Sequence, residues 1–486
     1  MKPVPADCRL ESSYARLPGH FYARVEPTPV PAPVLLAWNG PLAAELGLEE
    51  LSGDEERLAR LFGGNELPPD AVPIALAYAG HQFGQFVPQL GDGRAVLLGE
   101  RVDSSGRRRD IQLKGSGRTP FSRMGDGKSS LGPVIREYLV SEAMHALGVP
   151  TTRSLAAVAT GERVFREEAL PGGVFTRVAA SHVRVGTFEY FAARGDADAV
   201  RALADYAIDR HYPDAREHDE PLSAFYRGVV EAQARLVAHW MALGFIHGVM
   251  NTDNTAVSGE TLDYGPCAFM DEFHYDKVFS SIDHYGRYAY GQQASMAQWN
   301  LARLADCLLS AGGDKAALEE ELGRFPGLFE EEWLGRMARK LGLSTDGPDD
   351  ADPSADLIAD LVSDWLAHLQ REGLDYTLSF RELATRAGAS DEPRFGEFEL
   401  RWRERLARQP GTADEVRASM EAENPLYIPR NHQVERAIRA AIDGDLSVFH
   451  ELREVLERPF QEQPGRSGYA EPPAPEERVV RTFCGT

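Results

Sequence analysis

The amino-acid sequence predicts an α+β protein with a strand-rich N-terminal part, a mainly helical part after it, and a cleft between them. Ile111 and Leu113 alternate with Gln112 and Lys114, which is typical of a β-strand with one buried face. Beyond about residue 180, apolar residues recur at helical spacing, most clearly from Ala224 to Leu243. Two lobes of different secondary structure are therefore expected.

Composition excludes several classes of protein. The chain has 486 residues, with 43% hydrophobic and 26% charged residues, which is enough for two or three domains. The N-terminus lacks the apolar core of a signal peptide, and no apolar run approaches the roughly 20 residues that cross a bilayer. A net charge of −23 disfavours nucleic acid, which attracts positive surfaces. We expect a cytoplasmic protein with no nucleic-acid or membrane partner.

The four cysteines are far apart and form no C-x-x-C pair, so they indicate neither a zinc cluster nor a disulfide scaffold. Cys307 lies in a helical pattern and is interpreted as a small core residue. Cys484, third from the end, is expected to be mobile and reachable.

The elements follow in order along the chain. A hairpin is indicated from Val87 to Leu98, around an Asp-Gly turn. After the strand that ends at Lys114 comes a Gly-rich, basic segment over 115–132, then a helix from about Pro133 to Leu147. We expect an N-terminal region and strand-rich lobe over 1–180, a helical lobe with the catalytic loop over 181–460, and a Pro-rich tail over 461–486.

Lys114 is a candidate functional residue because Glu137 follows it on the next helix. That helix is apolar nearly all round, so Glu137 is expected to be partly buried, and a buried carboxylate needs a partner. Protein kinases pair a strand lysine with a helix glutamate so that the lysine grips phosphates. The alternative is a purely structural pair or two surface charges.

The Gly-rich segment suggests a phosphate cradle. Gly125-Asp-Gly-Lys-Ser129 is not a P-loop, because Ser122 stands where that motif needs its first glycine. Glycines let backbone amides approach phosphate, and the basic side chains nearby are Arg118, Arg123 and Lys128. Arg177 and Arg184 are further candidate cations; the alternative is two solvated arginines.

The segment His247-Gly-Val-Met-Asn-Thr-Asp-Asn254, followed by Asp263, can be overlaid on the catalytic and metal-binding loops of kinases. Asn254 and Asp263 are then the metal candidates, since magnesium prefers oxygen ligands. Val249 replaces the usual catalytic aspartate, so Asp253 is the carboxylate left for a base role. His247 is expected to be a hydrogen-bonded scaffold residue.

Taken together, six segments resemble the selenoprotein O family, also called the YdiU or protein adenylyltransferase family. They are Tyr78-Ala-Gly-His-Gln-Phe-Gly84, Pro88-Gln-Leu-Gly-Asp-Gly-Arg94, Gln112-Leu-Lys-Gly-Ser-Gly-Arg118, His247-Gly-Val-Met-Asn-Thr-Asp-Asn254, Leu262-Asp-Tyr-Gly-Pro-Cys267 and Asn424-Pro-Leu-Tyr-Ile-Pro-Arg-Asn-His432. The resemblance covers most of the chain from about residue 78.

The resemblance implies a protein-kinase-like bilobal fold that binds ATP in reversed orientation, with the α-phosphate facing the acceptor. It implies transfer of AMP to Ser, Thr or Tyr hydroxyls of other proteins, with release of pyrophosphate. Lys114 and Glu137 would form the ion pair, Asn254 and Asp263 would hold Mg²⁺ or Mn²⁺, and Asp253 would accept the proton. Nucleotide contacts are implied for Gly91, Gly93, Arg94, Lys114, Asp126, Gly127, Arg177, Arg184 and Asp263.

Two other functions stay open at the level of sequence: an atypical kinase, and a pseudokinase that binds nucleotide only as a scaffold. Val249 favours the scaffold. The joint presence of Lys114, Glu137, Asn254 and Asp263 counts against it, because a scaffold needs no complete metal site.

Many members of the family carry selenocysteine or cysteine near the C-terminus, and Cys484 fits the cysteine version. We hypothesise that Cys484 bonds Cys267, four residues past Asp263, so that oxidation controls activity or substrate access. The alternative is two unrelated thiols.

Overall fold

The computed structural model describes residues 9–344 and 354–483, so Cys8 and Cys484 lie outside the described residues. Within them the protein is α+β, with a sheet-rich N-terminal part followed by many helices, as the sequence predicts.

Most strands of the N-terminal part join one antiparallel sheet. The strands are β1 (Tyr22–Arg24), β2 (Val34–Trp38), β3 (Ile74–Leu76), β4 (Gly80–Gln82), β5 (Gln85–Val87), β6 (Ala95–Val102), β7 (Arg108–Lys114), β8 (Ser129–Ser130), β9 (Arg153–Phe165), β10 (Ala169–Ala179), β11 (Phe245–Ile246) and β12 (Ala268–Phe269). The main sheet has the order β1-β3-β6-β7-β10-β9-β2, with β8 paired to β10. Strands β4 and β5 pair separately, as do β11 and β12.

The helices lie mainly after the sheet. They are α1 (Gly40–Glu45), α2 (Glu55–Phe62), α3 (Leu131–Ala146), α4 (Val185–Ala192), α5 (Ala197–His211), α6 (Pro221–Ala242), α7 (Gln293–Ser310), α8 (Lys315–Lys340), α9 (Ser354–Glu372), α10 (Tyr376–Thr385), α11 (Gly396–Leu406), α12 (Ala413–Glu423), α13 (Asn431–Ile442) and α14 (Ser447–Leu456). Helices α3 and α6 match the two predicted from periodicity to within three residues at each end. No helix among the described residues is both long and apolar enough to cross a membrane.

The predicted hairpin from Val87 to Leu98 is wrong. Val87 pairs with Gly80 in the small β4–β5 sheet, whereas Ala95 begins β6 and pairs with Lys114. The intervening loop is held by the buried Asp92 carboxylate, which accepts hydrogen bonds from the Leu76 amide and the Gln112 side chain. An Asp-Gly turn signal is local, and these distant partners override it.

Strand β7 has the two different faces that its alternation predicts. Ile111 and Leu113 are buried with the apolar side chains of α1 and α2 on one side of the sheet. Gln112 and Lys114 point to the other side, where their partners are Arg177 and Glu137. The apolar face therefore anchors the strand, and the polar face supplies side chains to the site.

Helix α3 covers this second face of the sheet and is itself covered by α13 and α14. Tyr138 packs edge-on against Phe449 of α14, with ring centroids 5.6 Å apart. Val134 and Leu139 lie in the same apolar cluster as Phe175 of β10. Because α3 is packed on both sides, Glu137 has little freedom to move.

The loop after α6 is anchored in the helical core. Trp240, near the end of α6, stacks on the His247 ring at a centroid distance of 5.3 Å. Phe245 and Phe269 pair across β11 and β12. The loop that carries Asp253 and Asn254 therefore begins from a rigid support.

The described part of the C-terminal segment lies against the rest of the chain. The buried Arg430 donates to the Ala470 carbonyl oxygen and also pairs with Asp271 and Asp375. Further on, the Thr482 amide donates to the Phe279 carbonyl oxygen. The segment thus reaches the neighbourhood of β12 before the described residues end at 483.

Candidate active site

The centre of the site is the carboxylate of Asp263, on which three cationic side chains converge. Its Oδ1 accepts from Lys114 Nζ at 2.6 Å and from Arg177 Nη1 at 2.7 Å, and its Oδ2 accepts from Arg184 Nη1 at 2.9 Å. Lys114 comes from β7, Arg177 from β10 and Arg184 from the residue before α4. The donors thus come from β7 and from the segment that runs from β10 to α4, both distant in sequence from Asp263.

Glu137 completes the cluster from α3. Its Oε2 lies 2.6 Å from Lys114 Nζ, and its Oε1 lies 3.5 Å from Arg177 Nη1. Glu137 is 6% exposed, as expected for the buried carboxylate of an apolar helix. The two carboxylates of Glu137 and Asp263 are therefore shared among three cations.

The backbone and the charge state of Asp263 are both unusual. Its φ of +65° lies in the left-handed region, which non-glycine residues rarely occupy. Such strained residues concentrate at functional sites. Burial alone would raise the pKa of Asp263, but Arg177, Lys114 and Arg184 outweigh burial and hold that pKa well below its ordinary value. Asp263 is therefore a permanent anion at neutral pH.

Arg184 connects the cation cluster to the loop that carries Asp253. Its Nη1 also donates to the Asp253 carbonyl oxygen at 2.6 Å, and its guanidinium lies 4.6 Å from the centre of the Tyr78 ring. Tyr78 and Asp92, whose Oδ1 is 4.0 Å from Arg184 Nη2, enclose the guanidinium. One side chain therefore contacts both halves of the site.

Asp253 has the environment of a base. Its Oδ2 accepts from Gln82 Nε2 at 3.2 Å, while its buried Oδ1 has no hydrogen-bond partner in the described structure. Burial raises the pKa of Asp253 to about 6, although Arg184 opposes that shift. Gly80 is a glycine because a Cβ there would clash with Oδ1. The carboxylate therefore packs against the Gly80 backbone and is bound by the Gln82 side chain of the same strand.

The donor set suits a hard divalent cation. Asn254 Nδ2 donates to the Val249 carbonyl oxygen at 2.9 Å, which orients the amide and leaves Oδ1 as its ligand atom. Asp263 supplies carboxylate oxygens, and Mg²⁺ prefers such oxygens together with phosphate and water. The described residues contain no group of three or more His, Cys, Asp or Glu side chains that could hold a metal. Phosphate oxygens and water would therefore complete the coordination.

His247 is a scaffold residue in the structure, as the sequence analysis expects. It is fully buried, and its Nε2 hydrogen-bonds the carbonyl oxygen of Leu262, the residue before Asp263. Its backbone amide donates to Gln293 Oε1. His247 therefore helps to fix the strained turn at Asp263 rather than to move protons.

The glycines predicted to contact the nucleotide allow neighbouring loops to pack closely. A Cβ on Gly91 would clash with the Phe121 ring, and a Cβ on Gly127 would clash with the Gly117 backbone. Gly93 lies against the Phe121 carbonyl oxygen. Arg94 immediately precedes Ala95, which pairs with Lys114, so Arg94 lies at the end of β6 nearest the site.

Two charged side chains of the Gly-rich segment pair with the β9–β10 hairpin. Asp126 pairs with Arg166 at 2.9 Å, and Lys128 pairs with Glu162 at 2.5 Å. In the described structure these partners lie on the hairpin rather than at Asp263. The cations that meet at Asp263 come instead from β7, β10 and the start of α4.

The sequence analysis assigned no role to several residues that shape the site. Gln112, Gln82, Tyr78 and His182 each contact a predicted site residue. Gln112 was detectable, because it shares a strand face with Lys114. Tyr78 and Gln82 lie in the segment Tyr78–Gly84 that carries the family resemblance, whereas no pattern marks His182.

Cys267 is buried beside the site, and its thiol donates to the Tyr264 carbonyl oxygen at 3.4 Å. Thr482 donates its hydroxyl to the neighbouring Pro266 carbonyl oxygen at 2.5 Å. The C-terminal segment therefore comes next to Cys267, two residues before Cys484, which itself lies outside the described residues.

Comparison with known proteins gives consistent matches. A family model described as protein adenylyltransferase SelO matches residues 6–457. The Protein nucleotidyltransferase YdiU of Rhodopseudomonas palustris (strain BisB5) is 56% identical, over 98% of this chain and 99% of that protein. Proteins of the same name from Rhizobium meliloti (strain 1021) and Agrobacterium fabrum (strain C58 / ATCC 33970) are 54% and 55% identical, each over 98% of this chain. They are matched over 99% and 100% of their own lengths.

The role of Asp263 as a counter-ion predicts a loss of stability in Asp263→Asn. Asparagine tolerates positive φ but leaves Lys114, Arg177 and Arg184 short of a negative charge, so we expect the free energy of unfolding without nucleotide to fall by about 3 kcal/mol. Because the folded-state pKa of Asp263 is lowered, its contribution is complete above about pH 4 and is lost as the pH falls further. Denaturant unfolding at pH 7 measures the difference.

Asp126→Asn is the matched control, because the Asp126 side chain is 41% exposed and has one cationic partner, Arg166. Its expected cost is below about 1 kcal/mol. Equal losses in the two variants would contradict the counter-ion role of Asp263.

Proposed function

We propose a mechanism for the reaction of this protein. The chain belongs to the protein adenylyltransferase SelO family and is a protein nucleotidyltransferase. The cleft around Asp263 takes ATP and transfers AMP to a Ser, Thr or Tyr hydroxyl of an acceptor protein. The observation that carries this proposal is the convergence of Lys114, Arg177 and Arg184 on one carboxylate. Such a cluster can exchange its internal anion for a triphosphate.

The proposed architecture is a protein-kinase-like pair of lobes. A strand lysine paired with a glutamate on the next helix, and a sheet-rich part followed by helices, support it. In this proposal residues 1–180 form the N-terminal region and strand-rich lobe, residues 181–460 the helical lobe, and residues 461–486 the C-terminal tail. The nucleotide would lie where Lys114 and Asp263 face each other.

The arginines support a reversed nucleotide. Arg177 and Arg184 add two guanidinium groups at the base of the cleft, beyond the Lys114–Glu137 pair. Arg184 contacts both Asp263 and the Asp253 backbone, so a phosphate that it neutralises would lie beside Asp253. We propose that this is the α-phosphate, and that Gly91, Gly93, Arg94, Asp126 and Gly127 shape the rest of the nucleotide site.

The chemical step then follows from the positions of these groups. The acceptor hydroxyl oxygen forms a bond to the α-phosphorus, and the bond from that phosphorus to the bridging oxygen of the β-phosphate breaks. Pyrophosphate leaves with the bonding electrons, and the hydroxyl proton passes to Asp253. Asp253 suits this role because its Oδ1 has no hydrogen-bond partner among the described residues. Arg177 and Arg184 stabilise the negative charge that develops on the phosphate oxygens.

We propose that Asp263 and Asn254 hold Mg²⁺ or Mn²⁺ together with the nucleotide. When bound, the cation would neutralise charge on the phosphate oxygens of the leaving group. In the described structure, the oxygens of Asp263 accept hydrogen bonds from Lys114, Arg177 and Arg184. Phosphates offer these cations an alternative partner, which releases the carboxylate.

Labelled ATP tests the reaction. We expect ATP labelled on the α-phosphate to label acceptor proteins in a cell lysate, and ATP labelled on the γ-phosphate to leave them unlabelled. An atypical kinase would give the opposite result, and a scaffold would give no label.

Asp263→Ala is expected to lower α-label transfer by at least about 100-fold, because an interaction made chiefly in the transition state is lost.

Asp306→Ala is the control for this experiment, since Asp306 is an exposed carboxylate on α7 that pairs with Arg303. It should transfer label at the wild-type rate. Label from the γ-phosphate on protein, or full activity of Asp263→Ala, would refute the assignment.

Because the oxygens of Asp263 already accept from three cations, we expect Asp263 to bind the metal only together with the nucleotide. Electron paramagnetic resonance of Mn²⁺ should show no saturable site in the free protein, and one site once a nonhydrolysable ATP analogue is present. Asp263→Asn should lack that site even with the analogue. Saturable Mn²⁺ binding to the nucleotide-free wild type would contradict this coupling.

We propose that Cys267 and Cys484 form a disulfide bond when the protein is oxidised. Thr482, two residues before Cys484, hydrogen-bonds Pro266, the residue before Cys267. The proposed location is the cytoplasm, where thiols are normally reduced. A peroxide would remove two electrons and two protons from the thiols, and mass spectrometry of the nonreduced protein should then show the linked peptides. Both thiols remaining free after oxidation would end the hypothesis; Cys307→Ser should behave as wild type.

A further inference from the structure

The orientation of Arg177 depends on groups behind it. Arg177 is 1% exposed, and its Nη1 reaches Asp263 and Glu137 in the site. Its Nε points away from them and donates to two acceptors, Gln112 Oε1 at 2.9 Å and His182 Nε2 at 3.1 Å. The guanidinium is thus held on the side opposite to the nucleotide.

His182 is fixed in one tautomer by its two neighbours. A guanidinium has only donors, so the Nε2 atom that meets Arg177 must be an unprotonated acceptor. The ring proton is then on Nδ1, which donates to Asp110 Oδ2 at 2.9 Å. Burial lowers the pKa of His182 to about 4, although the Asp110 hydrogen bond opposes that shift. The neutral ring is the form that can hold Arg177.

Asp110 is held in turn from the helical part of the chain. Arg210 on α5 donates from Nη2 to Asp110 Oδ1 at 2.6 Å and from Nη1 to Glu100. Asp110 also accepts from the His182 backbone amide at 3.0 Å. A buried series of hydrogen bonds therefore runs from Asp263 through Arg177, His182 and Asp110 to Arg210.

We propose that His182 is a positioning residue for nucleotide binding that acts through Arg177. This inference rests on the proposed function, in which Arg177 binds phosphate. A flexible arginine loses rotamer freedom when it grips a ligand, and a side chain already held in place loses less. Asp110 and Arg210 extend the support, so helix α5 helps to aim a side chain of the sheet at the phosphates.

The test measures binding of a fluorescent nonhydrolysable ATP analogue in the presence of Mn²⁺. His182→Leu introduces an apolar side chain of similar length and removes the acceptor for Arg177. We expect its Kd to rise about tenfold, since charge-assisted hydrogen bonds to phosphate weaken when misdirected. His182→Gln, which still offers one acceptor and one donor, should stay within about threefold of wild type.

His211→Gln is the matched control. His211 is a half-buried histidine close by that hydrogen-bonds the Ser181 hydroxyl at 2.8 Å, but its contact does not lead to Arg177. Its Kd for the analogue should equal that of wild type. A general disturbance of the packing would affect both histidine positions alike.

A double-mutant cycle separates positioning from structural support. If His182 acts through Arg177, His182→Leu should change the Kd less than about twofold in an Arg177→Ala background. If it only supports the fold, its effect should be the same in both backgrounds. Full additivity of the two substitutions would overturn the proposal.

Two further outcomes are decisive. A folded His182→Leu protein that binds the analogue as wild type does, while Arg177→Ala binds it weakly, overturns the positioning role and leaves the proposed function standing. Wild-type binding by Arg177→Ala overturns both.

Should His182→Leu fail to fold, Asp110→Asn takes its place, because it keeps the side-chain shape but removes the charge that fixes the proton on Nδ1. Weakened binding in Asp110→Asn supports the proposal, and unchanged binding overturns it.

Discussion

The carboxylate of Asp263 neutralises cations that the fold has removed from water, and the rest of the site depends on that interaction. Lys114, Arg177 and Arg184 are all largely buried, and buried charges are costly unless they are paired. Asp263 supplies the negative charge that compensates them. In the proposed mechanism, a triphosphate replaces Asp263 as the partner of these cations, and Asp263 then becomes free to bind the metal.

The surrounding fold explains why this arrangement is rigid. Strand β7 is anchored by its apolar face against α1 and α2, and α3 is packed between the sheet and α13 and α14. The loop before Asp263 is held by His247 and Trp240 in the helical core. Preorganised charges lose little freedom when a ligand binds, so packing far from Asp263 helps to keep the site in place.

Much of the site was predictable because its residues occur in patterns with a local physical meaning. Lys114 ends an alternating strand, and Glu137 lies on a helix too apolar to leave a carboxylate unpaired. The hairpin around Leu90-Gly-Asp-Gly-Arg94 shows the opposite case. There a correct local turn signal was overridden by Asp92, whose buried carboxylate binds Leu76 and Gln112. The Gly-rich segment likewise had the composition of a phosphate cradle, yet Asp126 and Lys128 pair with the β9–β10 hairpin.

The sequence by itself determined the fold class and the family and named candidate site residues, because strand alternation, helix periodicity and short motifs are properties of neighbouring residues. Only the tertiary structure decided which charges share one carboxylate and which side chains stand behind them. Asp110, His182 and Arg210 are separated by up to 100 residues and form no motif. Their hydrogen bonds exist because the sheet and α5 pack together, and such contacts between distant segments leave no periodic trace in a single chain.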